Sequence, residues 1–122
     1  MKVPVLTRRA DFLSANRGLR LARPGFVLLA RPNGSDAMRF GITVTKKIGN
    51  AVVRNRMKRR LRELVREFLA TEGLPGHDHV LIGREGGVER DFAQLRIEFS
   101  AALARAGQGK GDPPRKRAGP KR

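Results

Sequence analysis

The stretch KKIGNAVVRNRMKRRLRE, residues 46–63, decides how the chain folds, because a helical apolar pattern overlaps a dense run of cations. Apolar residues recur at spacings of four and three, which places them on one face of a helix predicted over 51–70. These residues are Val53, Met57, Leu61, Leu64 and Phe68. Asn50 is the predicted N-cap of this helix. Lys and Arg fill most other positions, so the sequence predicts an apolar core face and a cationic surface.

The cations of this predicted helix repel one another. Arg54, Lys58 and Arg62 are spaced four residues apart, and each like-charge pair at that spacing costs a few tenths of a kcal/mol. Positive charge in the first turns also opposes the helix dipole. A phosphate near the helix N-terminus reverses both effects, since it accepts hydrogen bonds from backbone N–H groups and pairs with guanidinium groups. Acidic residues begin only at Glu63, so the pattern favours an anionic ligand over a solvated face of mixed charge.

The composition of the whole chain indicates a nucleic-acid partner. The 122 residues include 27 Lys and Arg against 11 Asp and Glu, which gives a net charge of +16. Such an excess is typical of proteins that bind nucleic acids. An anionic membrane is disfavoured as a partner, because membrane binding calls for large exposed apolar residues and the basic helix needs its apolar stripe for the core.

Length and residue usage limit the architecture and the compartment. With 122 residues, of which 39% are hydrophobic, the chain is predicted to form one small domain over 1–106. The absence of Cys excludes disulfides and thiolate metal sites. The first residues, MKVPVLTRRADF, lack the continuous apolar core of a signal peptide, and no apolar stretch is long enough to cross a bilayer. We therefore expect a cytoplasmic protein.

Two further helices and a tail are predicted from shorter patterns. The first helix covers 6–16, with Thr7 as its N-cap and Gly18 at its end. The last helix covers 91–106, where apolar residues again recur at helical spacing. Residues 107–122 are rich in Gly, Pro and cations and cannot bury enough apolar surface to fold. They are predicted to form a disordered basic tail.

Four strands complete the predicted fold, and they cover 19–23, 26–31, 38–45 and 80–83. The strands at 26–31 and 38–45 are predicted to pair antiparallel, because Pro32-Asn33-Gly34 suits a turn between them.

The predicted strand over 38–45 has two unlike faces. One face suits a core and carries Met38, Phe40, Ile42 and Val44. The other face is small and polar, with Arg39, Gly41, Thr43 and Thr45. If the sheet register brings this polar face beside Val27, Leu29 and Arg31 of the neighbouring strand, the result is a shallow trough for a single strand of RNA.

Residues 46–56, KKIGNAVVRNR, followed by Lys58-Arg59 and Arg62-Glu63, closely resemble the signature of the bacterial ribonuclease P protein subunit, whose hallmark is this Arg-Asn-Arg box. The likeness covers nearly the whole folded part. It implies an α+β fold, a two-layer α/β sandwich in which about three helices pack on a four-stranded, mostly antiparallel sheet. It also implies a β-α-β crossover of the left hand, whereas the sequence without the resemblance predicts the usual right hand.

The resemblance also implies a function. In this family the RNA subunit is the catalyst, and it hydrolyses precursor tRNA to release the mature 5′ end. The protein would be an accessory subunit of this endoribonuclease: it would bind the catalytic RNA and grip the 5′ leader of the precursor. The Mg²⁺ ions that the complex requires would be held by RNA, with no cofactor on protein side chains. No membrane and no obligate protein partner are implied.

The positions of the family's functional residues are carried over one by one. Those expected to contact the catalytic RNA are Lys46, Lys47, Asn50, Arg54, Asn55, Arg56, Lys58, Arg59 and Arg62. Those expected to line the leader cleft are Phe12, Val27, Leu29, Arg31, Arg39, Gly41, Thr43 and Thr45. Two positions depart from the family, because Asn16 stands where a second helix aromatic is frequent and Leu29 where a strand Tyr is frequent. Without Tyr or Trp, leader binding is predicted to depend mainly on charge.

Two other functions remain open from the sequence alone. A general basic RNA-binding protein of the ribosomal type would share the charge and the tail, but it would not require the ordered Lys-Lys, Gly-Asn and Arg-Asn-Arg motifs. A nuclease acting without RNA would need metal ligands or acid and base groups. His77 and His79 have the spacing of metal ligands, yet no third ligand is evident near them. Catalysis by the chain itself is therefore disfavoured.

Overall fold

The computed structural model of the protein describes residues 3–112. Three helices and four strands make up the described part. They are α1 (Arg9–Ala15), β1 (Leu19–Ala22), β2 (Phe26–Pro32), β3 (Arg39–Thr43), α2 (Ala51–Glu72), β4 (His77–Gly83) and α3 (Phe92–Gly107). Short 3-10 turns at Lys46–Ile48 and Glu85–Gly87 precede α2 and α3. The predicted α+β class is confirmed.

The four strands form one mixed sheet in the order β1-β2-β4-β3. β2 pairs antiparallel with β1 and with β4, whereas β3 pairs parallel with β4. The predicted antiparallel pairing of β2 with β3 is therefore wrong. After β3 the chain crosses over through α2, and β4 then returns between β2 and β3. The turn residues at 32–34 begin a loop between strands that are not neighbours, which a short-range turn pattern does not reveal.

The main core lies between the sheet and the two long helices. Alternate residues of β2, among them Phe26 and Leu28, point into it, as does Leu81 of β4. The helices contribute the predicted stripe of α2 and buried residues of α3, and Phe99 packs edge-on against Phe26 with the ring centroids 5.8 Å apart. Such aromatic pairs stabilise a core beyond the area they bury. This packing fixes one side of α2 and leaves most of its cations outside.

α1 lies on the opposite face of the sheet over a second, smaller apolar cluster. Leu6, Ala15, Val27, Leu29 and Val80 are buried there. The helix begins at Arg9, and no side chain caps its N-terminus, so the predicted start at residue 6 and the cap at Thr7 are wrong. The reason is tertiary: the backbone of Leu6 donates a hydrogen bond to Phe40 O at 2.6 Å, which keeps the residues before the helix extended.

Both outer strands of the sheet are covered by segments from the ends of the described chain. Phe40 of β3 receives the hydrogen bond of Leu6 and donates to Pro4 O at 3.0 Å. At β1 the backbone of Asp112 donates to Arg20 O at 2.8 Å, and its carboxylate accepts from Ala22 N at 2.7 Å. The rest of the predicted tail, residues 113–122, lies outside the described residues.

The bounds of α2 follow from its sequence. Asn50 Oδ1 accepts a hydrogen bond from Val53 N at 3.0 Å, so the predicted N-cap is confirmed. At the other end, a side chain at Gly73 would place its Cβ 2.5 Å from Leu69 O, so only glycine fits where the helix ends. Among residues 3–112, no helix is long and apolar enough to cross a membrane.

Candidate nucleic-acid interface

A cleft of about 590 Å³ lies between α1, the sheet and the side of α2. Among the residues predicted for leader binding, it contains Phe12, Leu29 and Thr43. Lys58 of α2 also lines it, although the sequence assigned this residue to the catalytic RNA. Asn16, which stands at the position of the missing second aromatic, lines the cleft as well.

The Phe12 ring rests directly on the backbone of Gly41. A Cβ at residue 41 would lie 2.5 Å from Phe12 Cε1 and 2.6 Å from Cζ, so any side chain there would push the ring away. Gly41 was expected to line the leader cleft, but the space beside its backbone is filled by the Phe12 ring. Phe12 is half-buried and still lines the cleft, so it serves both the small apolar cluster and the cleft wall.

The floor of the cleft comes from β4 as much as from β2 and β3. The register places Val80 between Leu29 and Gly41, so the last two are not direct neighbours. Val80 and Ile82 line the cleft and were missed by the sequence analysis, because the order of the strands was not known. Val27 and Leu29 are only 5% and 2% exposed, so α1 covers most of the predicted leader-binding surface on β2.

The two arginines predicted to supply charge to the cleft are already engaged. Arg39 donates to both carboxylate oxygens of Asp78, at 2.8 and 2.9 Å, and lies 3.6 Å from Asp11. The hydrogen bonds that Arg39 donates to Asp78 raise the pKa of Arg39. Arg31 donates to Ser14 O of α1 at 3.3 Å. The contacts with Ser14 and Asp11 hold α1 against the sheet, and together with the Asp78 pair they leave less charge for a leader than predicted.

The cations of α2 are divided between its two sides. Successive residues of an α-helix are rotated by about 100°, so Arg54 and Arg56 of the box lie about 160° apart around the axis. Arg54 Nε donates to Gly49 O at 3.3 Å, and Lys58, one turn further on the same side, faces the cleft. Arg56 lies on the side of α3, where it pairs with Glu89 at 3.3 Å. Asn55, Arg59 and Arg62 are exposed.

A second concave surface, of about 310 Å³, lies where α2 meets the start of α3. Its walls are Arg56, Arg59, Arg60, Glu63 and Phe92. The Arg60 guanidinium stands over the Phe92 ring, 5.5 Å from its centroid, and donates to the carbonyl of Arg90. Burial first and the charge of Arg56 second lower the pKa of Arg60. The sequence predicted no functional role for Arg60 or Phe92, because no local pattern shows that they meet.

The remaining predicted RNA contacts lie at the entrance to α2. Lys46 and Lys47 form the 3-10 turn before the helix and are exposed, and Thr45, just before them, is exposed too. Gly49 follows with a φ of 152°, a backbone conformation that favours glycine. This glycine lets the chain bend from the turn into the Asn50 cap, so the two lysines and the helix N-terminus stay at one end of the interface.

The two histidines make separate hydrogen bonds within the fold. His79 is fully buried, its Nε2 accepts from Leu74 N at 3.0 Å, and its Nδ1 therefore carries the proton donated to Arg39 O at 3.1 Å. His77 Nδ1 lies 2.9 Å from Pro75 O. Among residues 3–112, no group of three His, Cys, Asp or Glu side chains is arranged to hold a metal ion. His79 links the loop after α2 to β3 through these two hydrogen bonds.

Acid is expected to destabilise the fold through His79. Burial lowers the pKa of His79 below its ordinary value of 6.5, so the unfolded chain binds a proton more readily than the folded one. The free energy of unfolding should therefore be constant above about pH 6.5 and fall below it, by up to about 1.4 kcal/mol per pH unit, until the folded pKa is reached. Urea unfolding between pH 8 and pH 5 measures this dependence.

The matched variants are His79→Gln and His77→Gln. The first should remove the dependence that begins near the ordinary histidine pKa, and the second should leave it in place. If His77→Gln flattened the profile and His79→Gln did not, the assignment to His79 would be wrong.

The fold and these surfaces define a small basic α+β protein. Its cations lie along α2 and beside the cleft, an arrangement suited to binding RNA. Comparisons with known proteins identify the family. A family model described as Ribonuclease P matches residues 2–107. A ribonuclease P protein component from Erythrobacter litoralis (strain HTCC2594) is 69% identical over 116 residues, which cover 95% of this chain and 96% of the relative. The chain belongs to the ribonuclease P protein family.

Solved structures agree with this membership. An RNase P protein from Staphylococcus aureus superposes with a TM-score of 0.71 at 30% identity, over 86% of this chain and 96% of the other. An RNase P protein from Thermotoga maritima gives a TM-score of 0.71 at 34% identity, over 86% of this chain and 97% of the other. The resemblance seen in the Arg-Asn-Arg box is thus confirmed over the fold as a whole.

Proposed function

We propose that this chain is the protein subunit of a ribonuclease P, which binds the catalytic RNA and the 5′ leader of precursor tRNA and promotes removal of the leader. The observation that best supports the proposal is the pair of side chains on the cleft walls: the aromatic Phe12 lies on one wall, and Lys58, a cation of α2, lies on the other. Family membership supports the same function.

Each part of the interface has a role in this proposal. Phe12 offers a ring on which one leader base can stack, and such stacking contributes about 1–3 kcal/mol per base. Lys58, on the opposite wall, can pair with a leader phosphate. The exposed lysines of the 3-10 turn and the N-terminus of α2 suit phosphates of folded RNA. The chemical step belongs to the RNA, and the Mg²⁺ ions required for it are held by the RNA rather than by this chain.

Reconstitution with RNA tests the proposal. The purified protein with Mg²⁺ should leave precursor tRNA uncut, because the proposal places the catalytic groups in the RNA. Adding the cognate RNA subunit should restore cleavage at the mature 5′ end, at a rate above that of the RNA alone. The assay is gel electrophoresis of end-labelled precursor, which resolves leader and mature tRNA.

Two controls separate this function from its alternatives. Cleavage by the RNA-free protein at a rate near that of the complex would identify a nuclease acting by itself. An unrelated structured RNA of similar length tests for a general RNA-binding protein. Equal affinity for that RNA and for the cognate RNA, with no increase in cleavage rate, would contradict the proposed function.

A further inference from the structure

The end of α3 directs the chain toward the outer strand β1. After the helix, the backbone of Lys110 donates a hydrogen bond to Arg105 O at 2.9 Å. The backbone of Gly109 donates to Ala106 O at 2.9 Å, and its φ of 75° lies in the left-handed region that favours glycine. These hydrogen bonds form a Schellman motif, which satisfies the last carbonyl groups of a helix and turns the chain. The residues that follow therefore reach β1.

Asp112 holds the chain at β1 through three partners. Its backbone N–H donates to Arg20 O at 2.8 Å. Its carboxylate accepts from Ala22 N at 2.7 Å and from the Arg23 guanidinium at 3.1 Å. Burial acts to raise the pKa of this carboxyl, but the hydrogen bonds from Ala22 and Arg23 and the nearby guanidinium charge lower the pKa overall. The position at which residues 113–122 follow the folded part is therefore fixed.

The surface around Asp112 is cationic. Arg20 of β1, Arg105 of α3 and Lys110 after α3 are exposed, and we call these three residues the β1-edge patch. None of them forms an ion pair among residues 3–112. Arg105 is near enough for its charge to help lower the pKa of Asp112, but that carboxylate is hydrogen-bonded to the other partners. Positive charge therefore collects at this edge of the sheet.

The residues after Asp112 add charge of the same sign. Residues 113–122 contain five of the 27 Lys and Arg residues and none of the 11 acids. The first two are prolines, and because proline has no N–H they cannot donate further backbone hydrogen bonds to β1. All five cations lie within ten residues of Asp112, so the chain length limits their distance from it to about 35 Å. The patch and these cations can thus act on one ligand.

We propose that the β1-edge patch and the cations of residues 113–122 form a further RNA-binding surface, which contacts the phosphate backbone of folded RNA. Neither part includes an aromatic residue, so the surface suits phosphates and not stacked bases. β1 and β3 are the two outer strands of the sheet, about 14 Å apart, and the lysines at the entrance to α2 follow β3. This inference rests on the proposed function, which supplies the catalytic RNA and the tRNA as two sources of such a backbone.

A full-length variant with a neutral C-terminal segment tests the proposal. Glutamine replaces the five cations, which are Arg115, Lys116, Arg117, Lys121 and Arg122. RNA affinity at low salt should fall about tenfold, and the slope of log affinity against log salt concentration should become shallower by up to about 0.9 per lost phosphate contact, the coefficient for duplex DNA. One arm measures binding of the protein to the transcribed catalytic RNA, and the other measures binding of the reconstituted complex to mature tRNA. A loss in either arm supports the proposal and identifies the source of the backbone.

Two arginines of α3 provide a matched pair of variants for the described part of the surface. Arg105 belongs to the β1-edge patch, whereas Arg96 is exposed on the same helix and pairs with Glu67. Arg105→Gln should weaken RNA binding several-fold, and Arg96→Gln should leave it unchanged. Both variants lose one positive charge, so an effect of net charge alone would treat them alike. Circular dichroism and the melting temperature check that each variant keeps the fold.

Two further variants separate charge from position. A chain in which residues 113–122 stand in reverse order keeps every charge and should bind RNA as the wild type does, because phosphate contacts require no particular order. A chain with ten Gly and Ser residues inserted between Asp112 and Pro113 also keeps every charge. The insertion doubles the length that links the last cation to β1, so the effective concentration of the cations at this edge, and the RNA affinity, should fall about threefold.

The possible results distinguish the two proposals. A wild-type protein that fails to bind the RNA subunit and to promote cleavage would overturn the proposed function and this inference together. An active wild type whose neutral variant keeps its affinity and salt slope in both arms would overturn this inference alone. Equal losses for Arg105→Gln and Arg96→Gln would overturn the role of the patch. Weak binding by the reversed segment would overturn the phosphate contact, and unchanged binding after the insertion would overturn the role of Asp112 as an anchor.

Discussion

Replacing Asp78 with alanine is expected to lower the free energy of unfolding by about 3 kcal/mol, because it leaves charged and polar partners of a buried carboxylate unpaired. Asp78 is 6% exposed and accepts two hydrogen bonds from Arg39 of β3 and one from Asn33 Nδ2 at 2.9 Å. The substitution therefore loosens β3, β4 and the loop after β2 at once. Urea unfolding followed by circular dichroism measures the loss.

Asp11→Ala is the matched control for this prediction. Asp11 also faces Arg39, but at 3.6 Å and partly exposed to solvent. Such a pair contributes about 0–1 kcal/mol, so the control should unfold nearly as the wild type does. Equal losses for the two variants would show that the cost comes from the charge of Arg39 and not from the buried hydrogen bonds of Asp78.

Replacing Phe12 with alanine is expected to remove about 1–3 kcal/mol of the preference of the reconstituted complex for precursor over mature tRNA, the energy of stacking one base. The ring lies on Gly41 at the cleft wall, where it is half-buried and accessible from the cleft. Mature tRNA has no leader, so its binding should barely change. The measurement compares the affinities for mature tRNA and for precursors with short and long leaders at two salt concentrations.

The salt dependence carries a second part of this prediction. Asn16 lines the cleft where a second aromatic would stand, and Leu29 is buried beneath α1. With one ring available, the wild-type preference should be modest and should weaken strongly as salt rises. Leu13→Ala is the control, because Leu13 also lines the cleft and is 53% exposed but cannot stack as a ring does. Equal loss on mature and precursor tRNA after Phe12→Ala would identify Phe12 as a core residue only.

The sequence predicted α2 almost completely because the information for this helix is local. The N-cap is the residue just before the helix, the apolar stripe follows from spacing alone, and a glycine stands where the helix ends. Asn50 caps the helix as predicted, and the helix ends at Glu72, two residues beyond the predicted bound. The division of the cations between two sides of α2 also follows from helical spacing. Which surface each cation lines depends on the elements that pack against each side. Only the structure shows the cleft beside Lys58 and α3 beside Arg56.

The order of the strands could not be predicted, because it depends on contacts between distant parts of the chain. β4 follows α2 in sequence and yet lies between β2 and β3. Its Val80 separates Leu29 from Gly41, and its Asp78 neutralises Arg39. Arg39 was predicted to supply charge to the cleft, but its partner Asp78 lies nearly forty positions away in the sequence. No local pattern connects the two residues.

The segments that cover the two outer strands have a consequence for how the protein behaves before it meets RNA. An uncovered outer strand offers a row of unpaired backbone groups that can join the sheet of another molecule and start aggregation. Here the backbone of Pro4 and Leu6 is hydrogen-bonded to Phe40 of β3, and the backbone of Asp112 donates a hydrogen bond to Arg20 of β1. These hydrogen bonds therefore reduce the number of unpaired backbone groups through which two copies of the protein could join their sheets.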